Sequence, residues 1–208
     1  MITVIIIAFE KRAFLKDAIE SVLSQDLDSH TIEIILIKNF ADKLDFLPDN
    51  LKVIDALDDI SIGSKIIRAA ENSNGEYISF LEDDDIFLPK KIKHIYNLLD
   101  SNPDVVYINN GFIKIHGNAS DNYTVNTENT GLHDRFKFNK STMDCDTYFR
   151  LRPDFNLSSI TIRRRILLEN RQLIVGKTHV VDTLLFALAL NTGLNPKIFL
   201  ILSSLKIP

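Results

Sequence analysis

Cysteine is nearly absent from this 208-residue chain. The single thiol, Cys145, can close no internal disulfide and no cysteine zinc site, which fits a reducing compartment. A basic surplus is missing as well. The 24 Lys and Arg residues face 28 Asp and Glu, for a net charge of −4, which argues against a partner made of nucleic acid. No segment approaches the roughly 20 consecutive apolar residues that a membrane-spanning helix needs. The opening run from Met1 to Ile7 has no basic flank before it and no small-residue cleavage site after it, so it does not read as a secretory signal. Glycine is scarce at 7 residues, and none form the Gly-x-Gly-x-x-Gly of a dinucleotide fold or the Lys-Ser/Thr-terminated loop of a P-loop enzyme. These absences leave a cytoplasmic protein, or a cytoplasmic piece of one that meets the membrane peripherally through a C-terminal part not included here.

Apolar residues make up 45% and charged residues 25%, the balance of a globular domain rather than a disordered one. Their order is informative. Ile2 to Ala8 is a continuous apolar run rich in β-branched residues, as in a strand buried on both faces. Phe14, Leu15, Ala18, Ile19, Val22 and Leu23 recur at helical spacing. Strands follow at 32–37 and 51–56, a helix at 62–72 stopped by Asn74-Gly75, and a strand at 77–81. Pro89 opens the next helix, carrying Ile92, Ile95, Leu98 and Leu99, and a strand spans 105–109. Such alternation predicts an α/β fold with a mainly parallel central sheet and helices on both faces. The stretch from His116 to about Asp146 is polar and reads as a long loop shaping a binding site. Beyond it come a short strand at 160–162, a short helix at 164–170 and an apolar helix at 180–190.

The chemistry concentrates in Glu82-Asp83-Asp84-Asp85, four carboxylates between a buried strand and a helix. In an open α/β sheet ligands collect outside the carboxyl ends of the strands. Like charges packed there repel unless a cation neutralises them, and oxygen-only ligands suit Mg²⁺ or Mn²⁺ bound with a substrate diphosphate. The alternative is a solvated acidic turn. An EF-hand is excluded, because Asp83 onward supplies neither the glycine at position six nor the closing glutamate. A phosphate-receiver domain is excluded too, because no acidic pair follows the first strand at Ile7-Ala8-Phe9.

Taken in order, these segments resemble the family 2 glycosyltransferases. Val4-Ile5-Ile6-Ile7-Ala8-Phe9-Glu10-Lys11 is similar to that family's opening strand and turn, usually Val-Ile-Ile-Pro-Thr-Tyr-Asn-Arg. Phe14 to Gln25 is similar to the helix that follows, and Glu33 to Ile37 to the second strand. Asn74-Gly75-Glu76-Tyr77-Ile78 with the acidic cluster resembles the Gly-Glu-Tyr-Ile and Asp-x-Asp stretch. The likeness is continuous over about the first 110 residues. It implies a GT-A fold with a nucleotide-sugar-binding half over 1–111 and an acceptor-binding half over 112–208. It also implies inverting transfer from a nucleoside diphosphate sugar to a glycan, lipid-linked or other hydroxyl acceptor, with Mg²⁺ or Mn²⁺.

Residue by residue, the resemblance puts Asp84 on the metal, with Glu82 beside it, and Asp83 near the donor's ribose or sugar. Ala8, Phe9 and Glu10 fall on the base pocket, and Asn39 on an aspartate that accepts from uracil. Lys65 stands off the family's usual register and is a candidate for the diphosphate, the alternative being a solvated lysine at a helix start. Asp182, in Val181-Asp182-Thr183-Leu184-Leu185, falls on the catalytic base. The departures are Lys38-Asn39-Phe40-Ala41 for Asp-Asp-Gly-Ser and Val181 for the glutamate before the base. They keep open a non-catalytic nucleotide-sugar-binding module. A nucleotidyltransferase is a third reading, although its glycine-rich N-terminal loop is missing.

Overall fold

The computed structural model describes residues 1–9, 13–26, 32–48, 51–59, 61–112, 132–139, 141–193 and 196–203. Eight strands among them join one sheet: β1 (Ile2–Ala8), β2 (Ile32–Lys38), β3 (Lys52–Asp55), β4 (Tyr77–Glu82), β5 (Val105–Asn110), β6 (Leu132–Phe138), β7 (Ile160–Arg163) and β8 (Lys197–Ser203). Their spatial order is β3-β2-β1-β4-β7-β5-β8-β6. The pairs β1–β2, β1–β4, β2–β3 and β5–β8 are parallel, whereas β7 runs antiparallel to both β4 and β5, and β6 antiparallel to β8. The sheet is thus mainly parallel with two reversed strands, as the alternation of strand and helix predicts.

The β-branched run of β1 is buried at every position because β2 and β4 pair with its two edges and helices cover its two faces. Ile5 and Ile7 point to one side, into a core shared with α2 (Ile62–Glu71), α5 (Arg164–Glu169), α6 (Arg171–Ile174) and α7 (Val181–Leu190). Val4, Ile6 and Ala8 point to the other, against α1 (Leu15–Leu23) and α3 (Lys91–Asp100). Period-two burial on a strand between two helical layers requires this division.

Two sequence expectations are corrected. Pro89 does not open α3. The carbonyl of Pro89 accepts from the Asp26 amide at 3.3 Å, and the helix begins at Lys91 after a turn. Gln25, nearly buried, fixes that entry: its Nε2 donates to the Leu88 carbonyl and its Oε1 accepts from the Ile92 amide. The polar stretch 116–146 is not one long loop either. It contains β6, paired to β8, and the start of α4 (Cys145–Leu151), whose first turn is capped by the Asp144 carboxylate accepting from the Thr147 amide at 2.7 Å. The part of that stretch over 116–131 lies outside the described residues.

Candidate functional site

The strand order reverses between β1 and β4: β1 leads to β2 on one side, and β3 returns through α2 to β4 on the other. A crevice opens outside the carboxyl ends at such a switch point. Two predicted residues meet across it, the Phe9 amide donating to Asp83 Oδ2 at 2.9 Å. Asp83 is only 2% exposed, so its carboxylate fixes the chain leaving β1. Ala8 is fully buried with its methyl in the core, so only its backbone borders the crevice. Asn39 is half-buried just beyond β2. Beside it Lys38 is engaged, bridging Asp55 at 2.6 Å and donating to the Phe40 carbonyl at 2.6 Å. Glu10 lies outside the described residues.

Lys65 differs from the solvated lysine common at a helix start. It is fully buried, and its Nζ sits 3.2 Å from the Phe9 ring centroid with no hydrogen-bond partner among the described residues. Burial lowers its pKa to about 8, against the pull of Asp59 and Asp83. A cation over an aromatic face is stabilised by the ring quadrupole, yet a buried ammonium with three unused donors is suited to a ligand oxygen.

The acidic cluster forms the turn after β4. Glu82 is half-buried and ends the strand, its amide donating to Ser158 Oγ at 3.0 Å, while Asp84 is exposed and Asp85 half-buried. Burial pushes the Glu82 carboxyl up to about 7, reinforced by the negative charges of Asp85, Asp84, Asp182 and Asp83. Lys91, in the first turn of α3, donates to the Ser158 carbonyl and lies 3.5 Å over the Phe87 ring. Burial lowers its pKa to about 7 despite Asp85. Among the described residues no three His, Cys, Asp or Glu side chains converge into a metal cage of their own. The mutual repulsion that raises Glu82 beside Asp83, Asp84 and Asp85 nonetheless fits a dication that takes its remaining oxygens from a ligand.

A cleft of about 410 Å³ brings the second half of the chain to this cluster. Glu82 and Asp85 line one part of it, Phe155 and Asn156 another, and Val180 with Asp182 a third. Asp182 stands in the first turn of α7, and the Thr183 amide donates to its Oδ1 at 2.9 Å. The predicted base Asp182 and the predicted metal residue Glu82 thus line the same cleft, and the Asp182 charge helps to raise the Glu82 pKa; Asp84, on the turn beside Glu82, is not among the residues that line it.

The sequence reading passed over Ser158, Lys91 and Asp154. Asp154 is 1% exposed and accepts from Tyr148 Oη at 2.7 Å, Thr183 Oγ1 at 2.7 Å and Arg152 Nε at 3.2 Å. Its only local signal is a carboxylate after Pro153 and before the apolar residues of β7, which any turn shares.

Comparison with known proteins places this geometry among relatives. Residues 3–157 match the family described as Glycosyl transferase family 2. An uncharacterized glycosyltransferase of Rickettsia felis is 26% identical over 124 residues, covering 51% of this chain and 19% of the relative. The chain thus spans about a fifth of that relative's length. Among solved structures, S. aureus TarS 1–349 superposes with a TM-score of 0.70 at 15% identity, covering 98% of this chain and 58% of that fragment. TarS has also been solved in complex with UDP-GlcNAc. The mannosyltransferase PcManGT from Pyrobaculum calidifontis, in complex with GDP-Man and Mn²⁺, superposes with a TM-score of 0.61 at 13% identity, over 96% of this chain and 56% of its own. Among the described residues no helix is long and apolar enough to cross a membrane.

Proposed function

The chain belongs to glycosyl transferase family 2, and on that premise we propose that it moves a sugar from a nucleoside diphosphate donor to an acceptor hydroxyl with inversion. The observation that carries this reading is a cleft lined jointly by Glu82, Asp85 and Asp182. Inversion needs one displacement: the acceptor oxygen attacks the anomeric carbon while the diphosphate leaves on the opposite side. The attacking hydroxyl loses its proton as the bond forms, so a carboxylate must stand on the acceptor side. Asp182 serves as that base. The Thr183 amide holds one of its oxygens, leaving the other for the acceptor proton.

On the donor side, Asp84 and Glu82 would hold Mg²⁺ or Mn²⁺, which when bound neutralises the diphosphate and makes it a better leaving group. Phe9 offers a ring edge to the base, Asn39 an amide to its polar rim, and the buried Lys65 ammonium an oxygen contact, with Asp83 keeping Phe9 in place. The donors bound by TarS and PcManGT, UDP-GlcNAc and GDP-Man, are the first to try. The acceptor is a hydroxyl compound reached from the 112–208 half. A binding module without turnover is the rival, motivated by Lys38 being engaged with Asp55 and Phe40 where the family pattern carries an acidic pair and glycine.

The test is release of UDP or GDP from these two donors, with and without Mn²⁺, in the parent, Asp84→Asn and Asp182→Asn. The proposal expects metal-dependent diphosphate binding that Asp84→Asn abolishes while the fold persists. Asp182→Asn should keep that binding and lose turnover by about 100-fold or more, the usual range for a general base. Diphosphate affinity that is equal with Mn²⁺ and with chelator sinks the metal assignment. Turnover by Asp182→Asn within a few-fold of the parent sinks the base. Tight donor binding with no release in the parent selects the rival.

A further inference from the structure

We propose that Asp154 is a positioning residue for Asp182, acting through the Thr183 hydroxyl; the inference rests on the reading of Asp182 as the base. Asp154 joins three segments. Its Oδ2 accepts from Tyr148 in α4 and from Thr183 in α7, both at 2.7 Å, and its Oδ1 accepts from Arg152 in the turn between. Thr183 is the residue next to Asp182, and its amide donates to Asp182 Oδ1. One buried carboxylate therefore clamps the hydroxyl of the same threonine whose amide orients the proposed base.

The clamp also ties the segment that leads to Phe155 and Asn156 to the first turn of α7, both of which line the cleft. Phe155 and Asn156 follow Asp154 directly and line the same cleft as Val181 and Asp182. The wall is braced from below: Tyr107 Oη donates to the Pro153 carbonyl at 2.8 Å, and the Phe186 ring of α7 packs against Tyr107 at 5.7 Å and Tyr148 at 5.8 Å. The backbone around it is held in an unusual state. The three non-glycine residues with positive φ among the described residues are Arg152 (45°), Asn156 (69°) and Val180 (52°), and all border this network. Strained backbone persists where surrounding contacts over-determine it, and it gathers where a site must be held in one geometry.

The choice of group is informative as well. Burial alone would raise the Asp154 pKa, but the donors from Tyr148, Thr183 and Arg152 outweigh it and hold the carboxyl below its ordinary range. A charge kept in the interior is a costly way to fasten a turn to a helix, and an apolar contact of equal volume would serve stability as well. What a carboxylate adds is direction, since two short bonds to one oxygen fix the Thr183 rotamer and with it the pitch of the first turn of α7.

Two measurements test this. In hydrogen exchange, Asp154→Asn and Thr183→Val should speed the amides of residues 181–184 selectively, with the amides of β1 and β4 unchanged. Unaltered exchange at 181–184 overturns the proposal whether or not a donor is turned over. In UDP release from UDP-GlcNAc, or GDP release from GDP-Man, Thr183→Val should lower kcat about 10- to 100-fold with affinity for the Mn²⁺ diphosphate unchanged, the scale of a base displaced by about 1 Å. Thr183→Ser, which keeps the hydroxyl, should recover most of the rate. Added to Asp182→Asn, Thr183→Val should cost less than about two-fold more, because one pathway cannot be lost twice. An equal loss in both backgrounds means a merely structural role and overturns the inference, as does a parent rate in Thr183→Val. If Asp182→Asn itself keeps the parent rate, the reading of the base has failed instead.

Discussion

Val180 places a β-branched side chain in the left-handed region at φ 52° and ψ 29°, where L-residues lose about 1–2 kcal/mol. It is 72% exposed, so little burial offsets that cost. Asparagine tolerates this conformation, and Val180→Asn should stabilise the protein by about 1 kcal/mol, raising Tm by roughly 2–4 °C for a domain of this size. An unchanged or lower Tm would show that the strain is not carried at this position. At the same scale, what the sequence discloses depends on how local the cause is. Asp84 and Glu82 are legible as candidates because four carboxylates after a buried strand have few uses. Lys65 is legible only as a residue type: its full burial against Phe9 depends on α2 packing under β1. Asp154 is not legible at all, since its three donors come from positions 148, 152 and 183 and nothing in its own neighbourhood demands a buried charge.

The elements were readable where a period or a stop residue defines them, and Gly75 shows why the motif around it is written as it is. Its amide donates to Thr3 Oγ1 at 3.0 Å, and that hydroxyl donates on to Glu33 Oε2 at 2.6 Å. Glu33 also accepts from the amide and side chain of Asn74, so the turn before β4 is pinned to β1 and β2 together. A Cβ at Gly75 would stand 2.4 Å from Thr3 Oγ1 and 2.5 Å from the Thr3 amide nitrogen. The neighbour is a central strand that cannot shift, so Gly75→Ala should destabilise by about 2–3 kcal/mol as overpacking does. Thermal unfolding checks this, with a fall of roughly 5–10 °C expected; a change under 1 °C would mean that the turn relaxes freely. The elements missed are those with weak periods. In β6 an alternation of Leu132, Asp134, Phe136 and Phe138 is diluted by charge, and its pairing with β8 is a contact some 65 residues away. Helix α4 buries no side chain, so its apolar pattern carries no signal and only the Asp144 cap announces it. The start of α3 was misplaced by two residues because Gln25, 66 positions before Lys91, decides where the turn ends.

Across the whole molecule, the two-faced core is written in the isoleucine runs of β1, β2 and β4, but the ionisation of its interior is a property of the assembled fold. Three groups at the sheet's carboxyl edge are held far from their ordinary pKa values, and they pull stability in opposite directions with pH. Glu82 is raised from 4.5 to about 7, so its contribution is fully present below pH 4.5 and is lost as pH rises toward 7. Lys91 is lowered from 10.5 to about 7 and Lys65 from 10.5 to about 8, so their contribution is present above pH 10.5 and is lost as pH falls through those values. Carboxylates with lowered values, Asp154 and Glu33, act only in the acid range below the ordinary carboxylate pKa, and Tyr77, raised to about 12, only at the alkaline end. Between them a trough follows. With chelator present, Tm should fall from pH 5 to a minimum near pH 7–8 and rise again toward pH 9.5, where most proteins are at or past their maximum. Glu82→Gln should flatten the acid side of the trough and Lys91→Met the alkaline side, each leaving the other limb in place. Mn²⁺ with UDP should raise Tm most inside the trough, because a ligand that supplies positive charge to the Glu82 cluster binds the folded state selectively. A Tm that climbs steadily from pH 5 to 7.5 in chelator would mean that Glu82 is not a carboxylate held out of its range. The charge argument for a dication at this edge would then fall with it.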